Sequence, residues 1–220
     1  MNEKKNWTID QVKKMAGSGD EITGKVIPIN QEIIAGQKIL NFWYVEDLLK
    51  KSTRIAVGEC DCRKTLKNCD NTLEGCLFLN NWADMAIDKG FARESDYQGA
   101  LSILKKTYSE GLVLTAGLED PPVKICSCCS CCCFMFAGIQ QYDLDYALVH
   151  SDFIAHVDKD ICSECANCVS RCHFSAMQEN DNTVVYNQEK CFGCGLCIST
   201  CPNEAIKLVE RGEGEIMHRS

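Results

Sequence analysis

The sequence predicts an α+β protein in two parts: a mainly helical, cysteine-rich N-terminal domain with short strands over residues 1–150, and a small duplicated domain over 151–220. Three observations carry that division. The 220-residue chain is long enough for one large domain or two small ones. Its 18 cysteines fall into groups at 60–76, 126–133 and 162–201, and the last group is a repeat. Ahead of them, amphipathic helical patterns alternate with short extended pieces.

Asp10 to Met15 reads as a short helix ended by Ala16-Gly17-Ser18-Gly19. Lys25 to Asn30 reads as extended, its Pro28 favouring an edge or a strand end. Phe42 to Lys51 places apolar residues at 42, 43, 45, 48 and 49 on one helical stripe. Ile55-Ala56-Val57-Gly58 is a buried strand that delivers the chain to Cys60. Cys76 to Lys89 reads as a helix with Trp82 and Met85 in its core face, closed by Gly90. Ser95 is placed to cap a further helix running to about Glu110, closed by Gly111, with Leu112-Val113-Leu114 a short strand after it. That helix–helix–strand order superficially resembles a winged-helix domain. The acidic chain, and a second helix without a basic face beyond Lys105 and Lys106, argue against DNA binding.

The C-terminal group reads Cys162-x-x-Cys165-x-x-Cys168-x-x-x-Cys172, then Cys191-x-x-Cys194-x-x-Cys197-x-x-x-Cys201-Pro202. Displaced by 29 residues, Val157–Cys162 falls on Tyr186–Cys191, and Ala176-Met177 falls on Ala205-Ile206. Three cysteines two residues apart on a tight loop can point three sulfurs at three corners of one iron–sulfur cube. Over about Phe153 to Val209 the chain resembles the bacterial-type two-cluster 4Fe–4S ferredoxins. The resemblance implies a two-cluster ferredoxin fold, each half a short strand, a cluster loop and a short helix that begins at the fourth cysteine. It also implies crossed ligands. Cys162, Cys165, Cys168 and Cys201 would hold one 4Fe–4S cluster, and Cys191, Cys194, Cys197 and Cys172 the other. His173 stands where the family usually has proline, at the expected helix N-terminus. Paired structural zinc sites are the competing reading, but zinc rarely needs three such spacings and a swapped fourth ligand.

Upstream, Cys60-Asp61-Cys62-Arg63 is followed by Cys69 and Cys76. Six cysteines then occupy eight residues: Cys126, Cys128, Cys129, Cys131, Cys132 and Cys133. Cys126, Cys129 and Cys132 form another C-x-x-C-x-x-C frame, with Cys128 and Cys131 an interleaved C-x-x-C. Ten cysteines suffice for two four-thiolate sites with two left over, or for one site and a redox-active pair. One or two additional iron–sulfur clusters are the favoured reading. A zinc site closing the domain is the structural alternative, and thiol–disulfide exchange a third. Phe134 to Ala137 reads as hydrophobic cover for the sulfurs, and Arg63 as a surface arginine balancing thiolate charge. The whole chain resembles anaerobe iron–sulfur proteins that carry an upstream cysteine-dense domain, which implies the electron-transfer class and nothing narrower.

The formal net charge is −8. Each oxidised cube with four thiolates adds roughly −2. Such a surface repels nucleic acid and anionic membranes and favours a redox partner with a basic docking surface. The first ten residues have no apolar signal-peptide core, and the longest apolar run, Cys131 to Ile139, is too short to span a bilayer. Thiolates kept for iron fit an anaerobe's reducing cytoplasm. No Ser/His/Asp set or Walker or G-x-G-x-x-G loop is present, which argues against nucleotide-driven chemistry. His150, His156, His173 and His218 are scattered and read as surface or packing residues.

The expected function is low-potential electron transfer through two 4Fe–4S clusters, relayed to or from one or two N-terminal metal centres, as a carrier or small oxidoreductase subunit. An enzyme with a catalytic iron–sulfur site in the N-terminal domain is the alternative, and a redox or metal sensor a third. Cys201→Ala is expected to damage the cluster of Cys162, Cys165 and Cys168 and to spare that of Cys191, Cys194 and Cys197. Spectroscopy showing the opposite loss would refute the crossed ligands.

Overall fold

A computed structural model describes residues 4–17, 23–34, 37–41, 43–117 and 119–212. Ser18, Gly19, Phe42 and His218, which enter the expectations above, lie outside them. The chain forms two compact units, one of Met1–Lys25 and Tyr44–Val149, the other of Val26–Trp43 and His150–Ser220. The units do not divide at one point of the chain, because Val26–Trp43 goes with the C-terminal one.

In chain order the elements up to the first cysteine group are α1 (Ile9–Ala16), β1 (Lys25–Val26), β2 (Asn30–Ile34), β3 (Gln37–Asn41), α2 (Trp43–Lys51) and β4 (Ile55–Glu59). Then come α3 (Asp61–Leu66), β5 (Glu74–Leu79), α4 (Asn81–Asp88), β6 (Ala92–Ser95) and α5 (Tyr97–Ser109). β7 (Val113–Ala116), β8 (Lys124–Cys128) and α6 (Phe134–Gln141) complete the first unit. α1 starts at a capping box: Gln11 N–H donates to Thr8 Oγ1 at 3.3 Å, and Thr8 N–H donates to Gln11 Oε1 at 2.9 Å.

The first unit is built on a six-stranded sheet in the order β1-β7-β8-β5-β4-β6, so it is less helical than the sequence suggests. The β4–β5, β4–β6, β5–β8 and β7–β8 pairs are antiparallel. The expected helix from Cys76 to Lys89 is in fact a strand and a helix. Leu77, Phe78 and Leu79 are consecutively buried, as a strand covered on both faces requires, and Asn80 at φ 55° breaks the chain before α4. Trp82 on α4 is 43% exposed, so it is not core. Ser95 ends β6, and Asp96 caps α5 instead, its Oδ1 accepting from Gly99 N–H at 2.7 Å.

In the second unit β9 (Phe153–Val157), α7 (Asn167–Arg171), β10 (Met177–Asn180), β11 (Thr183–Tyr186) and β12 (Ile206–Glu210) follow one another. β9 pairs antiparallel with β12, and β10 with β11. The repeat is visible in crossed backbone bonds. Asp158 N–H donates to the Ala205 carbonyl at 2.8 Å, and Asn187 N–H, 29 residues later, donates to the Ala176 carbonyl at 2.7 Å.

The expected helix after each fourth cysteine is absent. Cys172 ends α7, and the chain turns at once, leaving His173 in a turn. The cause is the same in both halves: Ser175 and Glu204, 29 residues apart, sit at φ 54° and 57°, where an α-helix cannot continue. The turn wraps the sulfur. Ala176 N–H donates to Cys172 Sγ, and Ala205 N–H to Cys201 Sγ, each at 3.3 Å.

The cluster loops also repeat left-handed residues: Glu164 and Ala166 in the first, Gly193 and Gly195 in the second. Only the second loop needs glycine, because a Cβ on Gly195 would run into the Ile29 carbonyl and one on Gly193 into that of Phe153. Gly195→Ala is therefore expected to destabilise the second unit by roughly 1–3 kcal/mol, measured by denaturant unfolding, whereas alanine is tolerated at the equivalent position 166.

Candidate metal centres

In the second unit two cavities collect the eight cysteines. One, of about 340 Å³ of empty space, is lined by Cys162, Cys165, Cys168 and Cys201 with Val157, Val184 and Ile206. The other, of about 350 Å³, is lined by Cys172, Cys191, Cys194 and Cys197 with Ala155, Phe192 and Leu208. Each cavity takes three sulfurs from one repeat and the fourth from the other. Burial pushes the Cys194 thiol up to about 12 and that of Cys197 well above its ordinary value. Such burial keeps an unliganded thiol neutral, and a bound metal would reverse this by stabilising the thiolate. Soft donors in apolar hollows, with backbone N–H groups aimed at two of them, suit iron–sulfur clusters.

Cover comes from Phe192, stacked between His150 and Phe174 at centroid distances of 4.0 and 4.2 Å. Burial lowers His150 to about 4, so it serves as a neutral packing residue. Arg211 donates to the Ser151 carbonyl at 2.9 Å and also to the Cys191 carbonyl, which fixes the start of the second cluster loop. The first loop is the more open one, with Cys165 exposed.

In the first unit the ten cysteines divide into four and six. Cys69, Cys129, Cys131 and Cys132 place their sulfurs within 4.8 Å of one another, with Cys69 Sγ 4.0 Å from Cys129 Sγ and 3.9 Å from Cys132 Sγ. Two thiolates on one tetrahedral ion with metal–sulfur bonds of about 2.3 Å stand about 3.8 Å apart, so this quartet fits a single ion. Asn68 positions it, donating to the Cys131 carbonyl at 2.8 Å and to the Lys5 carbonyl at 2.6 Å. The Trp7 indole N–H donates to the Cys132 carbonyl at 2.7 Å.

The other six sulfurs interact in a closed ring: Cys60 with Cys62, Cys62 with Cys133, Cys133 with Cys128, Cys128 with Cys126, Cys126 with Cys76, and Cys76 with Cys60. The Cys76–Cys126 separation is 4.0 Å, and those residues are cross-strand partners on β5 and β8. The period-three frames expected at 126–133 are not the ones assembled. Cys126 and Cys128 lie on a strand, where positions i and i+2 share a face, and the chain then turns, Cys133 N–H donating to the Cys129 carbonyl at 3.1 Å. Parity along β8 sends Cys126 and Cys128 to the ring, and the turn sends Cys129, Cys131 and Cys132 to Cys69.

Arg63 corrects a second expectation, for it is 1% exposed and not on the surface. Its Nε donates to the Thr72 carbonyl at 2.9 Å and its Nη1 to the Ser127 carbonyl at 2.7 Å. Nη2 has no nitrogen or oxygen partner among the described residues, and the guanidinium lies among the Cys60, Cys129 and Cys128 thiols. Lys124, half-buried over the Phe78 ring, is held charged by Cys126 foremost and by Cys76, Cys128 and Cys62. Sequence reasoning missed Lys124, Asn68 and Thr115, whose Oγ1 lies 3.3 Å from Cys128 Sγ. Only the pairing of β7 with β8 brings Thr115 there, and nothing local announces that register.

Comparison with known proteins bears on the second unit. The 4Fe–4S binding domain model matches residues 184–207. An uncharacterized ferredoxin of Methanocaldococcus jannaschii is 36% identical over 66 residues, 26% of this chain and 40% of that protein. An archaeal-type glutamate synthase [NADPH] of Thermotoga maritima is 38% identical over 62 residues, 27% of this chain and 12% of that enzyme. A ferredoxin of Methanothermococcus thermolithotrophicus is 35% identical over 57 residues, 24% of this chain and 95% of that protein. The chain thus spans less than half of the first two relatives and nearly all of the third. Through its C-terminal segment, with cysteines spaced for cubes and a matching 4Fe–4S binding domain, the chain belongs to the ferredoxin family.

Proposed function

We propose that the chain carries low-potential electrons through two 4Fe–4S clusters. One is held by Cys162, Cys165, Cys168 and Cys201, the other by Cys172, Cys191, Cys194 and Cys197. The observation that carries this reading is the grouping of these residues around two separate cavities, three from one repeat and one from the other. When bound, each cluster accepts and releases a single electron. The Ala176 and Ala205 N–H groups favour the more negative, reduced state by donating to Cys172 and Cys201. Apolar linings exclude water, which works in the opposite direction on the potential. Exposure of Cys165 makes the first cluster the natural point of exchange with a partner.

The acidic chain, at −8 before any cluster, suits a redox protein that presents a basic docking surface. Similarity to a glutamate synthase and to a component of an ion-translocating oxidoreductase complex from Methanosarcina acetivorans supports a carrier or small oxidoreductase subunit. Among the described residues no helix is long and apolar enough to cross a membrane. A reducing cytoplasm is the setting in which these thiolates would persist. Electrons would pass to or from metal centres in the first unit, for which the Cys69 quartet and the six further cysteines are the candidate ligands. The alternative, a catalytic iron–sulfur site in that unit acting on a small substrate or a partner's cofactor, requires an iron with an open coordination position.

Potentiometric titration of anaerobically purified protein, followed by electron paramagnetic resonance, tests the carrier reading. The expected result is two one-electron 4Fe–4S centres in the second unit with broadened, mutually coupled signals. A single uncoupled centre, or none that is reducible, would contradict it.

A further inference from the structure

The sulfurs of Cys69, Cys129, Cys131 and Cys132 all lie within 4.8 Å of one another. Cys69 Sγ stands 4.0 Å from Cys129 Sγ and 3.9 Å from Cys132 Sγ. The edge of a thiolate tetrahedron around one ion is about 3.8 Å for metal–sulfur bonds of about 2.3 Å. An iron–sulfur cluster instead spreads its thiolates over two or four irons. With iron–sulfur bonds of that length throughout, thiolates on different irons stand roughly 5.5 Å or more apart. No pair in the quartet opens that far, so its geometry selects a single ion over a cluster.

Cys69 comes from the loop between α3 and β5, and the other three from the turn between β8 and α6, which begins 60 residues later. Four thiolates complete a tetrahedron and leave no position for a substrate, as in structural metal sites. The surroundings tie the N-terminal segment to this point. Asn68 Nδ2 donates to the carbonyls of Cys131 and Lys5, and Lys5 N–H donates back to Asn68 Oδ1 at 3.0 Å. The Trp7 indole donates to the Cys132 carbonyl, and Trp7, Val12 and Ala16 pack in one cluster with Cys129 and Cys132. Four thiolates on a divalent ion leave excess negative charge, which the buried Arg63 guanidinium beside Cys129 offsets.

We infer that Cys69, Cys129, Cys131 and Cys132 bind one tetrahedral divalent ion, zinc or mononuclear iron, without sulfide. The closed site fastens α1 and the segment before it onto the turn between β8 and α6. This deepens the reading of the quartet as candidate metal ligands and is independent of the two clusters proposed for the second unit.

The experiment measures zinc, iron and acid-labile sulfide per chain in anaerobically purified wild-type protein and in Cys69→Ala, with electron paramagnetic resonance and backbone hydrogen exchange recorded on both. The expected result is a loss of about one metal atom and no sulfide, with the second-unit signals unchanged and exchange in α1 raised. Whether the lost atom is zinc or iron identifies the ion, and either supports the inference. Loss of iron together with an equal amount of sulfide would put a cluster on the quartet and overturn it, as would no loss of metal. Unchanged exchange in α1 would overturn the fastening role. Absence of cluster signals from the wild type would count against the carrier reading alone. Should Cys69→Ala fail to fold, wild-type stoichiometry decides, because two-iron and four-iron clusters hold iron and sulfide in equal amounts. Zinc plus iron exceeding sulfide by about one or more per chain supports the single ion, and equality overturns it.

Discussion

Crowded thiolates repel one another, and this chain places 18 cysteines where many sulfurs face other sulfurs. Water cannot relieve that charge once it is buried, so the protein must supply cations, hydrogen-bond donors or metal. The first unit does so with Arg63, fully buried on α3, and with Lys124 beside Cys126. The second unit relies on backbone N–H groups, with Ala176 and Ala205 donating to the two sulfurs that cross between repeats. Most of what is unusual in the fold can be traced to this demand. Gly75 leaves room for the guanidinium, since a Cβ there would stand 2.7 Å from Arg63 Nη2.

Sheet register then decides which sulfurs meet. β5 and β8 are neighbours, so Cys76 and Cys126 face each other although 50 residues separate them. The turn after β8 hands three further cysteines to Cys69, which reaches them from the loop after α3. A one-residue slip of β8 would reverse which of its side chains share the ring face. Thr115 and Ser127 add to this: Ser127 Oγ donates to Thr107 Oγ1 at 2.9 Å on the buried side of the sheet, and that bond resists the slip. Packing and ligand grouping are therefore one specification in the first unit.

The second unit was far more legible in the sequence than the first. Its cysteines lie a few residues apart and its symmetry is a direct repeat, so the ferredoxin resemblance carried by that spacing implies the same two sets that line the cavities. The turns after Cys172 and Cys201 escaped, because the left-handed Ser175 and Glu204 are not residues whose type announces a positive φ. In the first unit the partners are set by strand pairing across long stretches of chain, which periodicity does not reveal. Leu77 to Leu79 fits a helical stripe as well as a doubly covered strand, and only the neighbours β4 and β8 decide. Arg63 beside two cysteines resembled a solvent-facing counter-ion, yet the carbonyls of Thr72 and Ser127 draw it inside.

The central claim is that sulfur positions alone specify how many centres the chain holds and where. Anomalous diffraction at the iron edge, on crystals of anaerobically purified protein, tests it most directly. The predicted result is iron density in both cavities of the second unit, one lined by Cys162, Cys165, Cys168 and Cys201 and the other by Cys172, Cys191, Cys194 and Cys197. Iron in only one cavity, or in neither, would contradict it.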